Sequence, residues 1–326
     1  MPSKAGVVVP LAAAFSMALP ATTVLADEGG ASVWLPGQFA SFAAVPGDPG
    51  FSLEALFYFR KASAAAGTSF SRGGGLLLGY DTTEQYLYLT PSYTFANPVL
   101  SGQLWLGVTF SAGRADTSVW GVLSGPRGNA FSAGASDTAT GVSDLYPMAS
   151  LKWQTGSHNV MAYIMGSAPV GSYDPNRWAG VGIGHWAIDW GMGYTYMPKS
   201  PLEFSVTAGF TYNFINPTTQ YQSGMDAHID VGTSWSFTDS FYVGAAGYLF
   251  NQVSPDTGAG ASLGGFRSRV AGVGPQLGWS LQVGRLLTDF NVRGYKEFAA
   301  QNRPEGWNVY FTISLSRARR SGGKAP

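Results

Sequence analysis

The stretch Glu203-Phe204-Ser205-Val206-Thr207-Ala208-Gly209-Phe210-Thr211-Tyr212-Asn213-Phe214 decides the fold class. Read every second residue, Phe204, Val206, Ala208, Phe210, Tyr212 and Phe214 make one face. Ser205, Thr207, Gly209, Thr211 and Asn213 make the other. Side chains alternate across a strand, so the segment has one apolar and one polar side. The pattern recurs. Trp307, Val309, Phe311, Ile313 and Leu315 oppose Asn308, Tyr310, Thr312 and Ser314. Leu104, Leu106, Val108 and Phe110 oppose Gln103, Trp105, Gly107 and Thr109. Repeated segments of about ten residues with this two-residue period are what a membrane β-barrel needs, with lipid outside and a polar lumen inside.

Outside these segments the chain agrees. Only 12% of its residues are charged and 14% are aromatic, with 44 glycines and a formal charge of zero. A lipid-facing wall diluted one to one by a lumen-facing one has this composition, and the charge balance excludes a nucleic-acid partner. There is no cysteine, so disulfide and thiolate chemistry are excluded. Lys4, the apolar run Ala5–Pro20 and the small-residue ending Val24-Leu25-Ala26 read as a secretory signal peptide over 1–26, with the cut expected before Asp27. No run of 18 apolar residues follows, so the membrane is not expected to be crossed by helices.

Twelve candidate strands emerge: 51–61, 84–95, 102–113, 144–154, 158–168, 186–197, 203–214, 225–237, 241–252, 267–279, 286–298 and 306–315. Long connections (62–83, 114–143, 169–185, 215–224, 253–266) follow the odd strands and short ones the even strands. That is the rhythm of extracellular loops and periplasmic turns. A further hairpin near Ser118–Leu123 would raise the count to fourteen. The organisation expected is thus a signal peptide at 1–26, an N-terminal segment at 27–50, an antiparallel up-and-down barrel at 51–315 and a basic tail at 316–326. Residues 27–50 do not alternate. Trp34, Leu35, Phe39, Phe42 and Val45 lie among Pro36, Gly37, Pro46 and Pro49, too apolar for a free tail, so the segment is expected either to plug the lumen or to cap the periplasmic end.

The runs Asp144-Leu145-Tyr146-Pro147, Ala168-Pro169-Val170-Gly171-Ser172-Tyr173-Asp174-Pro175, Gly182-Ile183-Gly184-His185-Trp186-Ala187-Ile188-Asp189 and Asn302-Arg303-Pro304-Glu305-Gly306-Trp307-Asn308 resemble the MetA-pathway of phenol degradation family. With Trp34-Leu35-Pro36-Gly37 and Pro49-Gly50-Phe51-Ser52, the resemblance spans nearly the whole mature chain. It implies a transporter in the outer membrane of a Gram-negative bacterium for aromatic, phenol-like compounds, inserted by the barrel-assembly machinery and needing no cofactor. One departure stands out. Such barrels usually end on an aromatic residue, whereas here Leu315 closes the last strand and a tail with Arg317, Arg319 and Arg320 follows.

Charge facing the lumen is where a barrel's function lies, because charge facing lipid is costly. The alternation turns Glu54, Arg60, Lys152, Asp189, Asp226, His228, Asp230, Asp289, Arg293 and Glu297 inward. Their signs nearly balance, which favours paired charges bracing the wall over a strongly ion-selective pore. Asp226, His228 and Asp230 share one face, so a histidine between carboxylates invites a hydrolase as the rival reading, though no serine nucleophile is marked out and a metal would lack a third ligand. Another rival is a surface barrel binding partners through its loops, chiefly 114–143. Inward aromatics and methionine, namely Tyr86, Tyr88, Trp105, Met161, Tyr163, Tyr248 and Tyr310, are expected either to form a substrate wall, by stacking with a few orienting hydroxyls, or to pack so as to narrow and support the barrel. Trp153, Trp186, Trp190, Tyr194, Tyr196, Trp235, Phe241 and Trp307 read as girdle residues at the lipid interface. Glycine-rich runs such as Ser71-Arg72-Gly73-Gly74-Gly75 lack the lysine and helix of a phosphate loop and read as turns. The reading that results is a channel for small hydrophobic, aromatic solutes, embedded in outer-membrane lipid; oligomeric state is not legible.

Overall fold

The computed structural model describes residues 32–317 except 72 and 263. The signal peptide read at 1–26, residues 27–31 of the N-terminal segment, and Arg319 and Arg320 of the basic tail lie outside the described residues. Twelve strands follow one another: β1 (Gly50–Ser69), β2 (Gly75–Thr94), β3 (Gln103–Ser124), β4 (Ala130–Thr155), β5 (His158–Ser167), β6 (Ala187–Tyr196), β7 (Leu202–Asn213), β8 (Asp226–Thr238), β9 (Phe241–Gln252), β10 (Arg269–Val283), β11 (Leu286–Gln301) and β12 (Glu305–Arg317). Each pairs antiparallel with its chain neighbours. β1 closes on β12 from Ser52 opposite Ser316 to Ser63 opposite Glu305, which makes a closed antiparallel barrel without an edge.

Closure is what the solvent demands. In hydrocarbon a backbone N–H or C=O without a partner costs several kcal/mol, so a sheet spans only when its ladder returns to its start. With the backbone satisfied, side chains sort by face. Along β7, Glu203, Ser205, Thr207, Gly209, Thr211 and Asn213 are buried, while Phe204, Phe210 and Tyr212 are exposed on the outside. The arrangement inverts that of a water-soluble protein: polar groups are inside and apolar groups face the surroundings. Trp186, Trp190, Trp235, Phe241 and Trp307 all point outward, as girdle residues do.

Two expectations about the connections need correction. The long loops read at 62–83 and 114–143 are largely strand. β1 and β2 stay paired up to Ser69 opposite Gly75, and β3 and β4 up to Ser124 opposite Ala130, leaving only the tips Phe70–Gly74 and Gly125–Asn129. Ser118–Leu123 therefore belongs to β3, and the count stays at twelve. β3 has 22 residues and β4 has 26, far beyond the roughly 9–11 that a tilted spanning strand needs. Outside the membrane no apolar face is required, so Ala, Gly, Ser and Thr replace the two-residue alternation. Polar contacts within and between strands hold these extensions. Arg114 forks onto Asp116 at 2.8 and 2.7 Å, Thr138 donates to Asp116 at 2.6 Å, and Trp120 donates to Asp81 at 2.8 Å. The connection β11–β12 is also a short one, Asn302–Pro304. At the opposite end, two-residue turns such as Gly156-Ser157 and Asp239-Ser240 join the strands. β12 itself runs past Leu315 to Arg317.

Ala208 sits at mid-length of β7 on the apolar face and is exposed. Ala208→Arg is expected to destabilise the folded barrel by about 2–4 kcal/mol in denaturant titrations from liposomes. Thr207→Ala, one residue away on the lumen face, should change it far less.

Candidate functional site

Residues 33–47 run through the lumen. This stretch has almost no regular structure, so its backbone groups need partners outside itself. Polar side chains of the wall supply them. The Gly37 and Phe39 amides donate to the two carboxylate oxygens of Asp230 on β8 at 3.0 and 3.1 Å. Phe42 donates to Glu203 on β7 at 3.0 Å and Ala44 to Thr195 on β6 at 3.1 Å. In the other direction, Tyr310 donates to the Pro36 carbonyl at 2.6 Å, Tyr295 to Gly37 at 3.1 Å and Lys152 to Val45 at 3.1 Å. Gly37 has a φ of 86°, and a Cβ there would stand 2.8 Å from the Tyr248 ring, so both conformation and space require glycine.

The segment's anchor is Trp34, which is fully buried. Its indole stacks on the His228 imidazole with centroids 3.6 Å apart and planes 13° apart, and Phe39 and Tyr163 tilt against it. Here the sequence reading of His228 needs correction. Its carboxylate partner is Asp189 on β6, 2.9 Å from Nε2, and not Asp226 or Asp230. Residues two apart on a strand project in parallel rather than toward one another. Asp230 is occupied by the Gly37 and Phe39 amides, and Asp226 accepts from Asn213 at 2.9 Å. His228 reaches past β7 because Gly209 lies between: a Cβ there would fall 2.8 Å from His228 Cε1 and closer still to the Tyr163 hydroxyl. Tyr163 itself stands 3.4 Å from His228 Nε2. A histidine closed in by Trp34, Tyr163 and Asp189 holds the segment to the wall, and the flanking-carboxylate geometry expected for a hydrolase is not formed.

Across the lumen a second polar cluster ties β1 to β11. Arg60 pairs with Glu84 and Glu297, each at 3.3 Å, and donates to the Pro304 carbonyl at 2.9 Å. Tyr248 donates to Glu297 at 2.9 Å and Asn308 to Tyr248 at 3.0 Å. Near the turn end, Ser314 donates to Glu54 at 3.2 Å and Ser280 to Asp289 at 2.5 Å. Arg293 lies over the Tyr310 ring, 5.0 Å from its centroid. The structure thus turns the expected lumen charges inward; Arg60, Glu297, Asp189 and His228 stand in ion pairs, whereas the other six meet neutral side chains, backbone groups or a ring.

Residues 33–47 make most of their wall hydrogen bonds to β6–β8 and β10–β12, with Gln103 on β3 and Lys152 on β4 holding their far end. The space left open lies mainly along β1–β5, closed on the other side by Tyr248, Arg293 and Asn308. It forms two cavities in sequence. The outer one, of about 250 Å³, is bounded by Tyr58, Arg60, Tyr86, Tyr88, Tyr248 and the loop residues Tyr173 and Trp178. The inner one, of about 340 Å³, is bounded by Phe39, Tyr88, Trp105, Met148, Met161 and Met165, with Lys152 and Arg293. Leu35, Tyr88 and Tyr146 border both. Of the expected substrate wall, Tyr86, Tyr88, Trp105, Met161 and Tyr248 therefore line the cavities, whereas Tyr163 and Tyr310 contact residues 34–36 and the charges beside them. Sequence reasoning passed over Glu84 and Glu203, although both share the parity of their strands' polar faces. Arg303, in the β11–β12 turn, had no periodic signal to reveal it.

The loop between β5 and β6 roofs the outer cavity. Asp144 accepts from the Gly171 and Ile183 amides at 2.9 and 2.8 Å. Asp137 accepts from the Trp178 and Ala179 amides, each at 3.2 Å, and from Arg177 at 2.6 Å. The hydrogen bond to Asp137 raises the Arg177 pKa further above its usual range. Tyr86 donates to Gly180 at 3.3 Å, joining the roof to the wall.

A family model described as MetA-pathway of phenol degradation matches residues 65–313. Among solved structures, an outer membrane channel from Pseudomonas putida F1 superposes with a TM-score of 0.63 at 12% identity, over 87% of this chain and 100% of that one. A Pseudomonas aeruginosa FadL homologue reaches 0.41 at 12% identity, over 91% and 98% of the two chains. A monoaromatic hydrocarbon channel, CymD, reaches 0.34 at 7% identity, over 91% and 98%. No curated protein matches. At these identities the likeness is one of fold.

Asp230→Asn removes the charge from two buried hydrogen bonds. Amide exchange at Gly37 and Phe39 is expected to quicken by about tenfold or more, while β-ladder amides of β7 and β8 keep their rates.

Proposed function

The chain belongs to the MetA-pathway of phenol degradation family, and we propose that it conducts small hydrophobic, aromatic molecules across the outer membrane of a Gram-negative bacterium. The observation that carries this reading is the pair of aromatic-lined cavities along β1–β5, meeting at Leu35, Tyr88 and Tyr146. Their walls offer flat rings and methionine thioethers for stacking and burial, with scattered hydroxyls to orient a solute. A cavity of a few hundred Å³ suits one aromatic ring with a short substituent. A solute would enter beneath the β5–β6 loop, pass Leu35 and leave near the turns, with residues 33–47 acting as a plug that narrows the path. Nothing in that passage requires a bond to be made or broken.

The narrowing at Leu35 supplies the test. Cells lacking the gene are expected to take up phenol and toluene more slowly than the parent, and the wild-type gene should restore the rate. Leu35→Trp fills the junction between the cavities and should restore less than about a tenth of it, while immunoblotting shows equal barrel in the outer membrane. Uptake that is identical in all strains would refute transport.

A further inference from the structure

The lumen charges balance overall, but they do not balance in each cavity. Charged residues around the inner cavity are Lys152, Arg293 and Glu54, two cations against one carboxylate. Glu54 accepts from Ser314, and Lys152 donates to the Val45 carbonyl. Arg293 differs from both. It is 92% buried by its 8% exposure, its Nε is buried with no hydrogen-bond partner, and among the described residues its guanidinium makes no ion pair. The carboxylate best placed on β8 to meet it, Asp230, is engaged by the Gly37 and Phe39 amides. What holds Arg293 is the Tyr310 ring beneath it.

A guanidinium is expensive to bury without a counter-charge, and its planar fork fits a carboxylate through two parallel hydrogen bonds. The same cavity is lined by Phe39, Trp105, Met161 and Met165, which suit an apolar ring. We infer that the inner cavity is a recognition site for aromatic solutes bearing a single carboxylate, with Arg293 gripping the carboxylate and Lys152 adding the second positive charge. The inference rests on the transport reading above and narrows it from aromatic solutes in general to aryl carboxylates. Arg293 sits on the turn side of the Leu35 junction, so the carboxylate would be met after the ring has passed the narrowest point.

Titration calorimetry on the purified full chain in detergent tests this, with benzoate and the neutral benzyl alcohol as probes. Wild type is expected to bind benzoate at least about tenfold more tightly than benzyl alcohol, and Arg293→Gln to lose that preference while keeping benzyl alcohol affinity. Arg293→Lys, which keeps the charge but not the fork, should fall between them. Equal benzoate affinity in wild type and Arg293→Gln overturns the assignment, and so does parallel loss of both probes, which would mark damage to the Tyr310 packing instead. Failure of transport itself reads out separately, as uptake of phenol and toluene that does not depend on the gene.

Discussion

The ladder between β1 and β12 is the contact on which the rest of the molecule depends. From Ser52 opposite Ser316 to Ser63 opposite Glu305 it joins the two ends of the sheet, and only a closed sheet leaves no backbone donor facing lipid. Closure has a consequence for every side chain. Each strand must put apolar residues outward, so its polar residues are forced into a confined interior, where they need partners more than they would at a wet surface. Asp189, Glu203, Asp226, Asp230 and Glu297 are all almost fully buried as a result. The lumen is therefore a polar core, and something must satisfy it.

An irregular chain segment answers that need well, because its own backbone is equally short of partners. Residues 33–47 bring amides to Asp230, Glu203 and Thr195 and take hydroxyls from Tyr295 and Tyr310. A helix or strand in the same place would have used those amides internally. The match is one-sided, and that asymmetry leaves the open cavities. The carboxylates that seek donors cluster on β6–β8, the segment settles there, and β1–β5, richer in aromatic and sulfur side chains, is left to line open space. Anchoring thus falls mostly to one side of the wall and open space mostly to the other, with Lys152 and Arg293 bordering both.

How much of this was legible in the sequence depends on whether a feature is local. β7 and β12 could be read residue by residue, because lipid on one side and lumen on the other imprint a two-residue period. The upper halves of β1–β4 could not, since Ala62–Ser69 and Arg114–Ser124 stand where no lipid selects an apolar face. Inward orientation was likewise legible for all the charges from Glu54 to Glu297, being a matter of parity. Their partners were not. His228 shares a face with Asp226 and Asp230 yet binds Asp189 and stacks on Trp34, and both contacts depend on barrel curvature and on the missing side chain at Gly209. No spacing rule links Trp34 to a residue so far along the chain. Arg303 stands in a turn, outside any period.

The same division explains why the balanced charge of the lumen is a poor guide to selectivity. Arg60 is counted with Arg293 in a list of inward charges, but the two are chemically unlike. Arg60 is saturated by Glu84, Glu297 and the Pro304 carbonyl, so its charge is spent on joining β1 to β11 and the last turn. Arg293 is held by a ring, which leaves its hydrogen-bonding capacity to whatever enters the cavity it borders. A paired guanidinium stiffens a wall, whereas one stacked on an aromatic face remains available to a solute. On the proposed reading, selectivity in a narrow, half-filled barrel rests on the few charges the wall does not use.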